Sequence, residues 1–237
     1  MEQLRLILAY DQGMEVGPVV FDDDNLDPGY ILKIAKEGKF DAVVFGKGIA
    51  EKYYNGEVPL ILKLNGKTKL HKGEPISRQL ASVKEAKDLG AIGVGYTVYV
   101  GSEYESEMMA EFGRIEQEAE ELGLLVIGWM YPRGKGVLEP NSPDTVAYAA
   151  RVGLELGADY VKIKYPGSVE ALEWAVKNAG KSKVLVSGGE KKSDEEFWEL
   201  VNSIKKAGAY GMAIGRNVWK AKDPLEVSRK LREIFYE

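Results

Sequence analysis

Between positions 159 and 165 the chain reads Asp-Tyr-Val-Lys-Ile-Lys-Tyr, two lysines separated by one apolar residue. Alternate side chains of an extended strand share a face, so Lys162 and Lys164 point the same way. Solvated lysines on an exposed strand are the ordinary reading of such a pair, but a central barrel strand offers no exposed face here. A lysine crowded by a second cation and by apolar walls sheds its proton, because desolvation and like charge both disfavour the ammonium. The free amine can then attack a ketone and form a Schiff base.

Other candidate groups stand where apolar segments give way to loops. Gly128-Trp129-Met130-Tyr131-Pro132-Arg133 closes one segment, with Trp129 and Tyr131 on a shared face. Trp129 is read equally well as barrel filling or as a wall of a site. Tyr131 has a hydroxyl that needs a partner when buried, and it could move a proton in a chain with almost no histidine. Asp11 ends the first apolar segment, either capping its loop or holding a substrate hydroxyl and an iminium. Ser187-Gly188-Gly189 and Gly215-Arg216-Asn217 follow the last two segments. Glycines there let backbone N–H groups approach an anion, and Arg216 can clamp phosphate oxygens. His71, in a polar loop, is assigned to the surface or to the edge of a substrate site. Glu103, Glu105 and Glu107 open a helix, where acids complement the helix dipole, and are not read as a metal cluster.

The elements that must position these groups recur in one pattern. Helical segments end in glycine at Gly38, Gly90, Gly123, Gly157 and Gly208, each followed within a few residues by a short apolar run. Glycine closes a helix in the left-handed conformation without a Cβ penalty, and the apolar run is a strand buried on both faces. Strands are expected near 4–10, 41–45, 59–64, 92–99, 124–130, 159–164, 183–187 and 210–214. Helices are expected near 28–37, 47–54, 77–89, 104–122, 142–156, 168–179, 193–207 and 223–235. Ser142-Pro143, the Ser193/Glu196 capping box and Asp223-Pro224 mark three helix starts. Such a series is a (β/α)8 TIM barrel, α/β in class, with one domain over 1–237 and its site at the C-terminal ends of the strands. A doubly wound sheet is the rival, disfavoured because no GxGxxG follows the first strand.

Composition limits the chemistry. The 237 residues are 45% hydrophobic and 29% charged, enough for one large core. Without cysteine there are no disulfides, thiolate zinc sites or thiol nucleophiles, and one histidine cannot build a multi-imidazole metal site. Neither a metal nor an organic cofactor is expected. A formal charge of −5 argues against a nucleic-acid surface. The start of the chain has no signal-peptide pattern, and no long apolar run suggests a membrane span. These features are read as those of a soluble, cytoplasmic protein with no membrane partner.

The runs Ile7-Leu8-Ala9-Tyr10-Asp11, Leu60-Ile61-Leu62-Lys63-Leu64-Asn65-Gly66-Lys67-Thr68, Tyr131-Pro132-Arg133-Gly134, Gly157 to Tyr165, Ser187-Gly188-Gly189 and Ile214 to Trp219 together resemble the archaeal-type class I fructose-bisphosphate aldolases. This family is part of a wider group of Schiff-base TIM-barrel aldolases, and the resemblance covers nearly the whole chain. It implies that Lys162 forms the Schiff base, Tyr131 donates and accepts the proton, and Asp11 and Trp129 line the site. It places phosphate contacts on Arg133, Ser187, Gly188, Gly189, Gly215 and Arg216. Lys164 is expected to depress the pKa of Lys162 and to pair with phosphate. The family has histidine where this chain has Gln12, and often where it has Val16, so either one phosphate is held differently or the substrate preference has moved. The implied reaction is reversible cleavage of fructose 1,6-bisphosphate to dihydroxyacetone phosphate and glyceraldehyde 3-phosphate by a homo-oligomer. The alternatives are a related aldolase or transaldolase on another phosphorylated keto compound, and a catalytically silent sugar-phosphate binding barrel.

Overall fold

A computed structural model describes residues 3–236. Eight parallel strands, β1 (Leu6–Ala9), β2 (Ala42–Gly46), β3 (Leu60–Lys63), β4 (Gly93–Val100), β5 (Leu125–Pro132), β6 (Tyr160–Ile163), β7 (Lys183–Ser187) and β8 (Gly211–Ile214), pair in chain order into a closed barrel. The ring shuts where Leu6 pairs with Met212 and Leu8 with Ile214. The helices are α1 (Gln12–Val16), α2 (Pro28–Glu37), α3 (Lys47–Tyr53), α4 (Val83–Asp88), α5 (Glu105–Glu121), α6 (Pro143–Glu155), α7 (Val169–Ala179), α8 (Asp194–Lys206), α9 (Arg216–Trp219) and α10 (Pro224–Tyr236). This is the (β/α)8 architecture that the glycine-punctuated series predicts.

Period-two geometry sorts each strand into two cores. Leu6, Leu8, Val43, Val161 and Ile163 face outward and pack beneath the helices. Ile7, Ala9, Val44, Ile61, Ile127, Trp129, Tyr160, Leu185 and Ala213 fill the barrel interior. Lys63, two residues after Ile61, and Lys162, two after Tyr160, therefore belong to the interior set. Both are buried.

Carboxylates cap the starts of strands. The Asp41 carboxylate accepts from Arg5 N at 2.7 Å and Leu6 N at 2.8 Å, and also from the Tyr236 hydroxyl. Asp159 accepts from Val126 N at 2.8 Å. Asp41 thus ties β1, the root of β2 and the end of α10 together.

The structure corrects the expected boundaries in three places. Helix α4 begins at Val83, not near 77, because Ser82 and Glu85 form a capping box. The stretch before it instead serves the site: Gln79 bridges Asn65, and the Ser77 carbonyl is an acceptor. The short α1 and α9 occupy what the pattern leaves as loops. Gly90, Gly123, Gly157 and Gly208 are left-handed as expected, but Gly38 is not, and the left-handed position falls on Lys39 at φ 53°. Close approach explains Gly38: a Cβ there would stand 2.7 Å from both the Ile34 carbonyl oxygen and the Ser228 hydroxyl. The capping box at Ser193 and the caps at Ser142 and Asp223 form as read. Among the described residues no helix is long and apolar enough to cross a membrane.

Two substitutions test this junction by thermal unfolding. Gly38→Ala should lower the midpoint, since neither the carbonyl nor Ser228 can retreat cheaply. Lys39→Gly should raise stability by up to about 1 kcal/mol, or a few degrees, by removing a left-handed side-chain residue.

Candidate active site

At the upper end of the barrel interior an indole lies beside two buried amines. Trp129 fits because β4 has a glycine opposite: a Cβ on Gly95 would lie 2.0 Å from the ring. Register sets Lys162 beside Trp129 and Lys63 beside Gly95. The Lys162 Nζ lies 4.8 Å from the indole centroid and the Lys63 Nζ 5.5 Å from it. Burial pushes the Lys162 pKa down, with the charges of Asp11 and Glu15 opposing that shift. Burial also depresses Lys63; Glu15 and Asp11 oppose the shift, and the charge of Lys162 adds to it. The Trp129 Nε1 is buried with no hydrogen-bond partner among the described residues. Trp129 therefore borders both amines and has a donor still to satisfy, so it is not plain filling.

The two amines differ in how they are held. Lys63 donates to the Asn65 carbonyl at 2.7 Å and to Asn65 Oδ1 at 2.6 Å. Asn65 Oδ1 also accepts from Thr97 N at 2.8 Å, and its Nδ2 donates to the Ser77 and Thr97 carbonyls, each at 2.9 Å. Lys63 is anchored on both oxygens of Asn65. Among the described residues Lys162 makes no ion pair and no hydrogen bond, so its amine is free to react.

These positions correct the expected role of Lys164. It lies just beyond β6, half-buried, where burial and then the Arg133 charge lower its pKa, and Glu190 opposes them. The second amine beside the indole is Lys63, not Lys164. Sequence reasoning missed Lys63 although a signal existed: it is the one charged residue in the apolar run Leu60-Ile61-Leu62-Lys63-Leu64.

Tyr131 follows Trp129 by two residues on the inner face of β5, in register with Tyr99 of β4. Burial raises its phenol well above the ordinary value; Asp11 and Glu15 add to this, and Arg133 partly offsets it. The Arg133 guanidinium sits 5.7 Å from the Tyr131 ring centroid and 5.5 Å from that of Tyr99. Tyr99, also missed, has a buried hydroxyl without a partner among the described residues. Asp11 stands at the start of α1 but makes no capping bond, so the loop-cap reading fails and its charge is directed at Lys162, Lys63 and Tyr131. Glu15, one turn on, shares these partners; the Asp-x-x-x-Glu spacing was its signal.

The two glycine turns meet as expected, braced by a residue not counted among the contacts. Asn217 is buried and donates to the Gly188 carbonyl at 2.8 Å and the Glu190 carbonyl at 2.9 Å, while accepting from Lys192 N at 2.9 Å. Arg216 donates to the Gly189 carbonyl at 3.0 Å, and its Nε is buried and unpaired among the described residues. Gly189 has φ 71°. Gly215 must be glycine because a Cβ would lie 2.7 Å from both the Ala9 carbonyl and the Gln12 Nε2. Gln12 therefore stands on the β8 side, with its Oε1 buried and unpaired among the described residues.

Above this floor opens a cavity of about 1170 Å³, walled by Arg133, Lys164, Ser187, Gly188, Gly189 and Arg216 on one side and by Glu15 and His71 on the other. His71 is exposed but faces this cavity, the substrate-edge alternative. Glu103, Glu105 and Glu107 are more than a solvated helix start: they take Lys135 at 3.1 Å, Gly101 N at 2.6 Å and Arg78 at 2.9 Å. The assembly offers a buried amine with a depressed pKa, a buried phenol under the charge of two carboxylates, and backbone and guanidinium groups able to cradle an anion.

Comparison with known proteins agrees with this chemistry. The pattern of the DeoC/LacD family aldolases matches residues 5–221. The chain is 53% identical over 234 residues to the fructose-bisphosphate aldolase class 1 of Thermoproteus tenax, spanning 98% of this chain and 89% of that protein. It is 46% identical over 237 residues to the fructose-bisphosphate aldolase class 1 of Halobacterium salinarum, spanning 98% and 90%. It matches the solved structure of an archaeal fructose-1,6-bisphosphate aldolase, whose catalytic lysine is covalently bound to the carbinolamine intermediate of the substrate, with TM-score 0.95. That match has 51% identity and covers 100% of this chain and 95% of the other.

Asn217→Ala should strand two carbonyls and an N–H, costing about 2–4 kcal/mol. Hydrogen exchange should accelerate at 188–192 before the barrel strands respond; uniform acceleration would mean that the brace has no local role.

Proposed function

The chain belongs to the DeoC/LacD aldolase family, and from that premise we propose that it is a class I, metal-independent fructose-1,6-bisphosphate aldolase. The observation that carries this reading is Lys162, a buried amine depressed in pKa, set against an indole and bound to no acid. The Lys162 amine attacks the C2 ketone, and the carbinolamine loses water to give an iminium. The C4 hydroxyl gives its proton to the Tyr131 oxygen, and Tyr131, a phenol at neutral pH, passes its own proton to a facing carboxylate of Asp11 or Glu15. The C3–C4 electron pair moves into the iminium, leaving an enamine and releasing glyceraldehyde 3-phosphate. The carboxylate returns its proton through Tyr131 to C3 of the enamine, restoring the iminium, and addition of water then frees dihydroxyacetone phosphate and regenerates the amine.

Lys63 is the resident counter-cation in this scheme. With Lys162 as the sole cation near Asp11 and Glu15, those carboxylates would hold its proton. Lys63, fixed by Asn65, competes for those carboxylates as a second amine and weakens their hold on the Lys162 proton. Trp129 sets the distance between the amines. Arg133, Lys164, Ser187, Gly188, Gly189, Gly215 and Arg216 seat a phosphate, and Gln12 supports this end of the site from beside Gly215.

Gln12 and Val16 favour one second reading, an aldolase of the same mechanism acting on a different phosphorylated keto compound. A survey of aldehyde acceptors with dihydroxyacetone phosphate separates the two. The silent-barrel reading does not account for a buried amine without an ion pair or hydrogen bond among the described residues. A cytoplasmic homo-oligomer is proposed on family grounds, and the exposed Tyr148 and Trp174 on adjoining helices α6 and α7 provide surface for a subunit contact.

Borohydride reduction with dihydroxyacetone phosphate, followed by peptide mapping, should place the adduct on Lys162 and find none in Lys162→Met; an adduct on Lys63 or Lys164 alone would falsify the assignment. Tyr131→Phe should still trap the adduct while cleavage falls by about 10²–10⁴-fold. Removing the balancing charge in Lys63→Met should raise the Lys162 pKa, so the acidic limb of adduct formation should move up by about one pH unit. A folded variant with an unmoved limb would dismiss Lys63 as counter-cation.

A further inference from the structure

The reaction as written leaves the Tyr99 hydroxyl without a task. Tyr99 is wholly covered, and its hydroxyl meets no hydrogen-bond partner among the described residues. An unpaired buried hydroxyl costs stability that phenylalanine, with the same ring, would not lose, so its presence needs a reason. Its neighbours supply one. Tyr99 on β4 stands in register with Tyr131 on β5, and the Arg133 guanidinium lies 5.5 Å from the first ring centroid and 5.7 Å from the second. Adjacent strands are about 5 Å apart, so two inward phenols at one register level run side by side. We propose that Tyr99 is a positioning residue for the proton transfer, its O–H donating to the Tyr131 oxygen as negative charge gathers there. The inference rests on the aldolase reading and deepens it.

The need for such a donor follows from what surrounds Tyr131. As its own proton leaves for a carboxylate and the C4 proton arrives, the Tyr131 oxygen passes through partial negative charge. Burial, Asp11 and Glu15 all oppose a phenolate there, and the Arg133 charge offsets only part of that opposition. Among the described residues no group donates a hydrogen bond to the Tyr131 oxygen in the resting protein. A donor aimed at developing charge acts where it is worth most, in a site with little water. Tyr99 is the phenol next to it.

Tyr99 also remains a donor throughout. Burial, and then the Glu15 charge, hold its phenol above the ordinary value, with Arg133 opposing and Asp11 adding to the shift. Its proton is therefore kept while that of Tyr131 moves, and the O–H turns about its C–O bond to follow the charge. No proton of Tyr99 is transferred. The same hydrogen bond serves the return step, because protonation at C3 passes through the same Tyr131 oxygen. Both halves of the reaction then depend on one hydroxyl that touches no substrate.

Tyr99→Phe keeps the ring and removes only the donor. Borohydride trapping of dihydroxyacetone phosphate should match the wild type and KM should stay within about twofold, while kcat for cleavage of the bisphosphate falls by about 10–100-fold. Exchange of the dihydroxyacetone phosphate proton that becomes the C3 proton with solvent deuterium should slow by a similar factor. In a Tyr131→Phe background the same substitution should cost nothing further, because the donor has lost the oxygen it serves. The thermal midpoint of Tyr99→Phe should equal or exceed that of the wild type, since an unpaired buried hydroxyl is gone. An unchanged kcat, a loss of equal size in both backgrounds, or a lowered midpoint would make Tyr99 a packing residue and overturn the inference while leaving the aldolase reading intact. Failure of the wild-type protein to trap dihydroxyacetone phosphate would overturn the aldolase reading, and this inference with it.

Discussion

The physical constraint beneath this structure is the expense of placing charge inside a barrel. An isolated ammonium there would be desolvated at a cost of several kcal/mol, and the protein answers in two different ways. One amine, Lys63, is satisfied by both oxygens of Asn65 and faces carboxylates. The other, Lys162, has no such partner among the described residues, and burial pushes its pKa down. Reactivity follows from leaving one of two neighbouring amines unsatisfied.

The division of labour between strands and loops follows from the same constraint. The buried amines and the phenol sit on β3, β5 and β6, where ladder hydrogen bonds and close packing fix them; Trp129 has no freedom to tilt toward β4 beyond the space that Gly95 leaves. The cationic groups that wall the cavity sit on loops, which can adjust to a flexible ligand but must be braced. Asn217 and Arg216 do so across the β7 and β8 turns, and Asn65 does so at the root of the β3 loop. Two asparagines, each satisfied on both ends of its amide, hold the two sides of the mouth in place.

Much of this was legible in the sequence. The glycine-to-apolar junctions specify the barrel because helix closure and buried parallel strands each demand a narrow set of residues, and the Trp129/Tyr131 and Lys162 placements follow from period two. What stayed hidden depends on contacts between distant segments. Lys63 sits in a strand whose pattern looks ordinary, and only barrel closure brings it to the Trp129 ring across 65 intervening positions of sequence. Gly38 looks like its four counterparts, yet it is glycine because Ser228 of α10 leaves no room. Lys164 has the right periodicity, but β6 ends one residue before it. Local pattern encodes which face a residue takes; it does not encode which neighbour arrives there.

The Asp41 carboxylate joins the first strand to the last helix through Arg5, Leu6 and Tyr236. A ribosome delivers those partners far apart in time, Arg5 long before Tyr236. The ring cannot shut until β8 has emerged, and this knot cannot tie until α10 has. The nascent chain must therefore wait with an unsealed seam beside β1, exposed to misassembly, until those elements arrive.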